Sequence, residues 1–214
     1  MMNVLVTGAE GQLGKCIREL ASSNSQIKFD FTDKSQLDIV KRADVINFFL
    51  GKSYDYCVNC AAYTNVDQAE RTPEIAFAVN AEGVKNLALT CLENGVKLIH
   101  ISTDYVFDGE KKEGYYPKDI PNPINEYGKS KLKGELYIQQ ILNEYIIIRT
   151  SWLYSDYGHN FYKSILEKAH KGEILYVTDS QVGCPTDANH LAYYILDCLQ
   201  RKHWISGIVH FTDK

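Results

Sequence analysis

The stretch Asn3-Val4-Leu5-Val6-Thr7-Gly8-Ala9-Glu10-Gly11-Gln12-Leu13-Gly14 decides the fold of this 214-residue chain. A short apolar strand runs into glycines spaced G-x-x-G-x-x-G, and a helical pattern follows at once. This context is typical of a turn that binds a dinucleotide: Gly8 allows the tight turn, Gly11 lets the backbone approach a pyrophosphate, and Gly14 lets the helix pack closely. The helix then faces the phosphates with unpaired N–H groups and the positive end of its dipole. The alternative, a glycine-rich turn without a ligand, is less favoured directly after the first strand.

Strand-like and helical segments alternate along the rest of the chain. Strands are predicted at residues 27–31, 56–60, 96–101 and 145–149. The longest helix is predicted at 73–94, with Gly95 as its stop. Asn80, in the middle of that helix, is expected to brace a neighbouring turn or else to relay a proton through water. The alternation favours an α/β fold with a Rossmann-like, doubly wound parallel sheet, complete by Arg149.

Beyond Arg149 the pattern becomes less regular. A helix is predicted to end near Lys171, and a short strand is predicted at Leu175–Val177. A second helix, capped by Asp187, is predicted to run to Arg201, and a last strand begins at Ile208.

The composition argues against several classes of function. A net charge of −4 leaves no basic footprint for a nucleic acid and no polybasic patch for a membrane surface. No apolar run approaches the ~20 residues of a membrane span. The chain starts directly with a strand, so we expect no signal peptide and a cytoplasmic protein. Six scattered cysteines suit free thiols in a reducing compartment, and Cys57-x-x-Cys60 lacks a second Cys or His pair, so no metal site is predicted.

The segment 125–135, with the sequence NEYGKSKLKGE, reads as the start of a helix that places Tyr127 and Lys131 at i and i+4 on one face. A free tyrosine titrates near pH ~10, and a nearby cation stabilises the phenolate. We therefore expect Lys131 to lower the pKa of Tyr127 and make the phenol a general acid, which hands a proton to a carbonyl oxygen while a hydride reaches the carbon. The alternative is a tyrosine and a lysine on a solvated helix, which for an isolated pair is the favoured interpretation.

Acidic residues follow the second predicted strand. Asp33 lies about twenty residues past the glycines, where a carboxylate binds a ribose 2′-hydroxyl, and a turn aspartate is the competing interpretation. Lys34 follows at once and could meet a 2′-phosphate, so NADH and NADPH both stay open. Asp38 is either a helix cap or an adenine contact.

The ends of the third and fourth predicted strands carry further candidates. Ala61, Ala62 and Tyr63 form a small-residue turn where a cofactor could pass closely. Thr103 and Asp104 follow the fourth strand, and ligands lie off the carboxyl ends of strands in open α/β sheets. Their hydroxyl and carboxylate groups suit a carbonyl and its neighbouring hydroxyls, and the alternative is a strand-end cap.

Four of these motifs resemble those of the extended short-chain dehydrogenase/reductase superfamily in order and spacing. They are the glycine turn, Ser102–Phe107, Tyr127–Lys131 and Arg149–Trp152. Two more segments resemble the dTDP-4-dehydrorhamnose reductase family within it, namely 61–70 (AAYTNVDQAE) and 181–186 (QVGCPT). The resemblance covers nearly the whole chain. The glycine motif alone is unspecific, whereas the combination is strong.

The resemblance implies an NAD(P)H-dependent reduction of the 4-keto group of dTDP-4-dehydro-L-rhamnose, giving dTDP-L-rhamnose for cell-wall polysaccharide. NADPH or NADH is the implied cofactor, and a dTDP-sugar is the implied substrate. Some members bind Mg²⁺ at a homodimer interface, which nothing in these residues indicates. Two alternatives stay open: epimerisation or dehydration of another nucleotide sugar, and a regulatory subunit that binds the cofactor without turnover. Retention of Thr103, Tyr127 and Lys131 speaks against the regulatory subunit.

The resemblance also implies a domain organisation. Residues 1–150 correspond to the NAD(P)-binding Rossmann-like domain, and residues 151–214 to part of a smaller C-terminal substrate-binding domain. Family members usually continue for several tens of residues past Lys214, so this second domain is expected to be incomplete.

The site residues that the resemblance implies fall into three groups. Catalysis is assigned to Thr103, Tyr127 and Lys131, with Tyr127 as the proton donor and Lys131 tuning it and holding the nicotinamide ribose. The substrate is contacted by Thr103, Asp104 and Trp152. Besides Tyr127 and Lys131, the cofactor-binding residues are Gly8, Gly11, Gln12, Leu13 and Gly14 around the pyrophosphate, Asp33 at the ribose, Asp38 and Ile39 at the adenine end, and Ala61, Ala62 and Tyr63 along the cofactor.

Overall fold

The fold is built on a six-stranded parallel sheet. The structure, a computed structural model, describes residues 1–22, 24–177, 181–201 and 203–213. The strands are β1 (Met2–Thr7), β2 (Ile27–Thr32), β3 (Tyr56–Asn59), β4 (Lys97–Thr103), β5 (Tyr145–Thr150), β6 (Leu153–Tyr154), β7 (Thr186–Asp187) and β8 (Gly207–His210). The helices are α1 (Gln12–Ala21), α2 (Arg42–Phe49), α3 (Val66–Arg71), α4 (Pro73–Phe77), α5 (Val84–Asn94), α6 (Glu126–Ile141), α7 (Phe161–His170) and α8 (Ala188–Gln200). Among the helices of the described residues, none combines the length and the apolar character needed to cross a lipid bilayer.

Neighbouring strands of the main sheet all run parallel, in the order β2-β1-β3-β4-β5-β8. Val4, Leu5 and Val6 of β1 are fully buried, as expected for a parallel sheet covered by helices on both faces. The predicted doubly wound α/β fold is therefore confirmed. The prediction that the sheet is complete by Arg149 is wrong, because β8 pairs with β5 as a sixth strand.

The side chains of β1 point alternately to two helical layers. Val4 and Val6 belong to the core cluster that includes apolar residues of α1 and α8. Leu5 belongs to the opposite cluster, which includes apolar residues of α2, α5 and α6. Although α8 comes late in the chain, it therefore lies in the same layer as α1 and covers the same face of the sheet.

The predicted strand at Leu175–Val177 is wrong. That segment has no regular structure, and the Tyr176 side chain is 92% exposed. The second, two-stranded sheet is formed by β6 and β7, which run parallel to each other. The predicted cap of α8 is confirmed, since the Asp187 carboxylate accepts a hydrogen bond from the Asn189 backbone N–H at 2.8 Å.

The long helix predicted at 73–94 contains an irregularity that the sequence did not indicate. Its helical turns continue from α4 to α5 through a π-helical segment, Ala78–Gly83. A Cβ atom on Gly83 would lie 2.8 Å from the Ile39 side chain, so a glycine lets this segment approach the loop before α2. The predicted stop at Gly95 is confirmed, because that residue ends α5 with a left-handed φ of 66°.

Candidate active site

The carboxyl ends of β1 and β3 border the crevice where a parallel sheet of this strand order binds its ligand, because the connections diverge there to opposite faces. Gly8 has a φ of 67°, and a Cβ atom on it would lie 2.5 Å from the Ala61 backbone nitrogen. A Cβ atom on Gly14 would lie 2.6 Å from the Ala9 Cα atom. Both positions therefore require glycine, for the tight turn and for the close packing of α1.

Gly11 differs from the other two glycines. A Cβ atom there would meet the Gly8 carbonyl oxygen alone, at 3.3 Å, and the residue is exposed. Gly11 is the N-cap of α1 and, having no side chain, makes no capping hydrogen bond to the first N–H groups of this helix. Leu13 is buried, so its backbone N–H rather than its side chain is available to a ligand. A bare backbone and free N–H groups at a helix start fit the pyrophosphate of a dinucleotide.

The Gln12 side chain joins this turn to a distant part of the chain. Its Oε1 atom accepts hydrogen bonds from Asn160 Nδ2 at 2.9 Å and from Ser155 Oγ at 3.1 Å. Asn160 is also the N-cap of α7, where its Oδ1 atom accepts from the Lys163 backbone N–H at 2.9 Å. The glycine turn and the start of α7 are thus held together by one buried amide group.

Asp33 forms the turn that the competing interpretation predicted. Its carboxylate accepts hydrogen bonds from the Ser35 backbone N–H at 2.8 Å and from Ser35 Oγ at 2.6 Å. These hydrogen bonds lower the pKa of Asp33, so an anionic group is held at the end of β2, beside β1. Lys34 next to it is exposed. A turn aspartate and a ribose ligand are compatible here, because the hydrogen bonds that Ser35 and Gln36 donate to this carboxylate use its Oδ1 atom.

Asp38 does not cap a helix. Its Oδ1 atom accepts from the Val40 backbone N–H at 3.2 Å, whereas the N-cap of α2 is Lys41. Of the two alternatives from the sequence, the helix cap is therefore wrong. Ile39 is buried against the position of Gly83, so it contributes an apolar wall near the end of β2.

Asn80 braces the turn of Ala61, Ala62 and Tyr63, as predicted. Its Oδ1 atom accepts from the Tyr63 N–H and its Nδ2 atom donates to the Tyr63 carbonyl, both at 2.9 Å. The same Nδ2 group donates to Ser130 Oγ at 3.0 Å, and that hydroxyl donates to the Tyr127 carbonyl at 2.7 Å. The loop of Ala61, Ala62 and Tyr63 is thereby tied to the helix that carries Tyr127.

Tyr127 lies in the first turn of α6, behind its N-cap Asn125. The ring is 8% exposed and packs edge to face with Tyr105, with 5.6 Å between ring centroids. Burial raises the pKa of Tyr127 to about 12, against a smaller lowering by a hydrogen bond with Thr103. The expected lowering of this pKa by Lys131 is therefore wrong, because burial outweighs every nearby group that favours the phenolate.

Lys131 is 2% exposed, and its ammonium group is occupied elsewhere. The Nζ atom donates to the Ile101 carbonyl oxygen at 2.6 Å. Burial lowers the pKa of Lys131 to about 8, and Glu135 opposes that shift. Tyr127 and Lys131 share a buried face of α6, so the solvated-helix alternative is wrong, although no hydrogen bond joins the two side chains within the described residues.

Thr103 ends β4 and Asp104 follows it, close to the Tyr127 phenol. The Thr103 hydroxyl caps the single 3-10 turn Asp104–Val106 by accepting from the Tyr105 N–H at 3.2 Å, and it donates to Asp104 Oδ1 at 3.1 Å. Burial raises the pKa of Asp104. The predicted strand-end cap is thus present, in the same residue whose hydroxyl faces the Tyr127 phenol.

Trp152 has a φ of 45°, a left-handed conformation that is rare for a large side chain and concentrates at functional sites. A Cβ atom on Gly183 would lie 2.8 Å from its indole ring, so the segment 181–186 packs directly on Trp152. The Ser151 hydroxyl donates to the Cys184 carbonyl at 2.6 Å. The two segments that carried the family resemblance in the C-terminal part therefore lie together.

A buried ion pair near the site was not predicted from the sequence. Glu135 and Arg149 form an ion pair in which both side chains are almost completely buried. The pattern Ile146-Ile147-Ile148-Arg149 contained an indication, because a charged residue in a fully buried strand requires an opposite charge. Among the described residues, no group of three or more His, Cys, Asp or Glu side chains is placed to hold a metal ion.

Comparison with known proteins gives consistent results. The family model for the RmlD substrate binding domain matches residues 2–214. A dTDP-4-dehydrorhamnose reductase from Aggregatibacter actinomycetemcomitans is 38% identical over 218 residues, covering 100% of this chain and 74% of that protein. The enzyme of the same name from Escherichia coli is 39% identical, over 99% of this chain and 72% of its own length. A crystal structure of dTDP-4-dehydrorhamnose reductase from Bacillus anthracis in complex with NADP has a TM-score of 0.94 and 38% identity, covering 100% of this chain and 75% of that one.

Proposed function

Because this chain belongs to the RmlD substrate binding domain family, we propose that it is an NADPH-dependent oxidoreductase that reduces the 4-keto group of dTDP-4-dehydro-L-rhamnose to give dTDP-L-rhamnose. The observation that carries the proposal is the buried Tyr127 phenol beside the Thr103 hydroxyl, at the end of β4 and next to the crevice between β1 and β3. Relatives that carry the name of this activity match almost the whole chain.

Reduction of a ketone adds a hydride to the carbonyl carbon and a proton to its oxygen. The nicotinamide, when bound, supplies the hydride. Burial raises the pKa of Tyr127 to about 12, so the phenol stays protonated at neutral pH and holds its proton ready for the carbonyl oxygen. A phenol of this strength does not protonate a neutral ketone, and the proton moves only as negative charge builds up on the oxygen in the transition state.

The remaining site residues have positioning roles in this proposal. Thr103 would hold the carbonyl oxygen through its hydroxyl, and Asp104 would accept a hydrogen bond from a neighbouring sugar hydroxyl. Lys131 would hold the nicotinamide ribose with the N–H groups that the Ile101 carbonyl leaves free. Trp152 would pack on the sugar, and its left-handed backbone conformation supports a functional rather than a structural reason for its place.

The glycine turn fits the cofactor on its own geometry. Gly11 leaves the start of α1 bare, while Gly8 is required by its left-handed turn and both Gly8 and Gly14 by close packing. Asp33 would bind the ribose, and the exposed Lys34 would donate hydrogen bonds to the 2′-phosphate of NADPH. Asp38 and Ile39 would line the adenine end, and Ala61 to Tyr63 would line the nicotinamide half.

Domain division, oligomeric state and location form a further part of the proposal. We assign residues 1–150 to cofactor binding and residues 151–214 to part of the substrate-binding region, with α8 and β8 contributing to the main sheet layers.

All six cysteines lie in the described residues as free thiols, four of them buried, which suits a cytoplasmic enzyme. A homodimer is tested by light scattering of the purified chain.

Turnover with a defined substrate tests the function. NADPH absorbance is followed with dTDP-4-dehydro-L-rhamnose, with dTDP-4-dehydro-6-deoxy-D-glucose and with no sugar, and products are separated by chromatography. We expect NADPH oxidation that depends on the rhamnose precursor and yields dTDP-L-rhamnose. An epimerised or dehydrated sugar without net NADPH oxidation would replace the proposal with an epimerase or a dehydratase. NADPH binding without turnover of any sugar would indicate a regulatory subunit.

A further inference from the structure

Glu135 lies at the centre of a buried polar cluster formed with Arg149 and Ser102. Arg149 binds its carboxylate through two parallel hydrogen bonds, Nε to Oε1 at 2.9 Å and Nη2 to Oε2 at 2.6 Å. The Ser102 hydroxyl donates to Oε1 at 2.5 Å. Glu135 is completely buried, and Arg149 is 3% exposed. The carboxylate is therefore fixed in position by three donors from two strands.

The position of Glu135 links this cluster to the proposed active site. Tyr127, Lys131 and Glu135 follow one another at intervals of four residues, so they share one face of α6. That face lies against three consecutive residues of β4. Thr103 faces the Tyr127 hydroxyl, the Ile101 carbonyl accepts from Lys131, and Ser102 donates to Glu135.

The charges around Lys131 come from three elements. Cys60 at the end of β3 has a pKa that burial raises to about 12, so its thiol is uncharged. His100 on β4 has a pKa lowered first by burial and then by Lys131, so its ring is also uncharged. Tyr127 on α6 keeps its proton at neutral pH. Among the described residues that face Lys131, Glu135 therefore supplies the negative charge.

We propose that Glu135, held by Arg149 and Ser102, is a positioning residue that keeps the Lys131 ammonium charged and in place at the Ile101 carbonyl. An ammonium group that is 2% exposed loses most of its hydration, and a fixed carboxylate one helical turn away compensates for part of that loss. Burial lowers the pKa of Lys131 to about 8 even with Glu135 present, so little further loss is needed to neutralise the group at neutral pH. This inference rests on the proposed function only for the role of Lys131 in cofactor binding.

A structural role for the ion pair is the competing explanation. Removing one partner of a buried pair leaves an uncompensated charge and strongly destabilises a protein, whereas replacing both partners by neutral groups is often tolerated. Glu135→Gln therefore disturbs both the stability and the charge near Lys131. The double variant Glu135→Gln/Arg149→Met removes the unpaired arginine and still lacks the carboxylate, so it separates the two explanations.

The test follows Lys131 directly by NMR, in protein labelled with ¹³C at the lysine ε-carbon and without substrate. Lys131→Gln assigns the signal, which should titrate near pH 8 in the unmodified chain. We expect Glu135→Gln to lower that midpoint by about one pH unit or more. The double variant should keep part of this shift, because the carboxylate is still missing although the unpaired charge of Arg149 is gone. Ser102→Ala, which preserves both charges, should leave the midpoint nearly unchanged.

An unchanged midpoint in Glu135→Gln, or full recovery in the double variant, would overturn the proposal and leave the pair a purely structural role. If Glu135→Gln does not fold, the double variant decides alone. These titrations need no turnover, so they stay interpretable if the chain proves to reduce a different sugar. In kinetic assays, the alkaline limb of kcat/KM should move to lower pH in the same two variants.

Discussion

Replacing Tyr127 by phenylalanine removes a single oxygen atom from the site and leaves the ring that packs against Tyr105. The ring is 8% exposed and belongs to a small cluster with Ala69 and Ala76, so its packing is expected to survive. The phenol oxygen lies close to the Thr103 hydroxyl, and the loss of one polar contact of this kind lowers the free energy of unfolding by about 0.5–1.5 kcal/mol, which the fold should tolerate. The glycine turn at the end of β1 lies outside this substitution and should stay unchanged.

The catalytic effect should be much larger than the structural one. General acid catalysis contributes roughly 10²–10⁴-fold to a rate, which corresponds to about 3–5 kcal/mol of transition-state stabilisation. We therefore expect kcat for Tyr127→Phe to fall by that factor, while the Kd for NADPH changes less than about threefold. Stopped-flow absorbance of NADPH gives the first quantity, and isothermal titration calorimetry gives the second.

Tyr105→Phe is the matched control, because it removes the same atom from the neighbouring ring, 5.6 Å away between centroids. This variant should keep most of its activity. The reasoning fails if Tyr127→Phe retains more than about a tenth of the rate, or if Tyr105→Phe loses as much. Either result would show that the phenol at position 127 is not the proton donor.

Three further outcomes are expected. Activity should fall as pH rises through about 8, because Lys131 is charged below that pH and neutral above it; a flat kcat/KM profile from pH 6 to 10 would contradict this. Asp33→Ala should shift cofactor preference toward NADPH, because it removes like-charge repulsion with the 2′-phosphate, and dissociation constants that shift toward NADH would place Asp33 away from the ribose. Asn80→Ala should lower the free energy of unfolding by about 2–4 kcal/mol, since it leaves two Tyr63 backbone groups and Ser130 without their partner. Urea denaturation measures this change. A decrease of less than about 1 kcal/mol would show that water replaces the hydrogen bonds of Asn80.

The parts of the structure that the sequence predicted rest on local chemistry. The spacing of Gly8, Gly11 and Gly14 between a strand and a helix reflects backbone geometry that few other residues permit. The alternation of strands and helices follows from the periods of hydrophobic residues, which burial in a parallel sheet enforces. The brace made by Asn80 was also predictable, because a polar residue within an apolar helix must satisfy its amide group.

The parts that were wrong depend on contacts between distant residues. The direction of the Tyr127 pKa shift could not be predicted without knowing how deeply the ring is buried. A cation at i+4 lowers the pKa of a phenol, whereas burial away from water raises it. The strand near Ile208 was predicted, but its place as the sixth strand of the main sheet was not, because that place depends on pairing with β5, more than fifty residues earlier in the chain. Leu175–Val177 has strand-like residues without a partner strand, and so remains irregular.

The π-helical segment makes this site sensitive to chain length as well as to residue identity. A π-helical turn contains more residues than an α-helical turn, so deleting one residue within Ala78–Gly83 would favour ordinary α-helical hydrogen bonds there and would remove the wide turn that contains Asn80. That turn holds two contacts of Asn80: its side chain bonds to Tyr63, and its carbonyl oxygen lies so close to Gly134 that a Cβ atom there would be only 2.2 Å away. A relative lacking that single residue would have to connect the Tyr63 turn to α6 by other contacts. In comparisons among relatives, gaps in this short stretch therefore carry as much information as changes in the motif tyrosine itself.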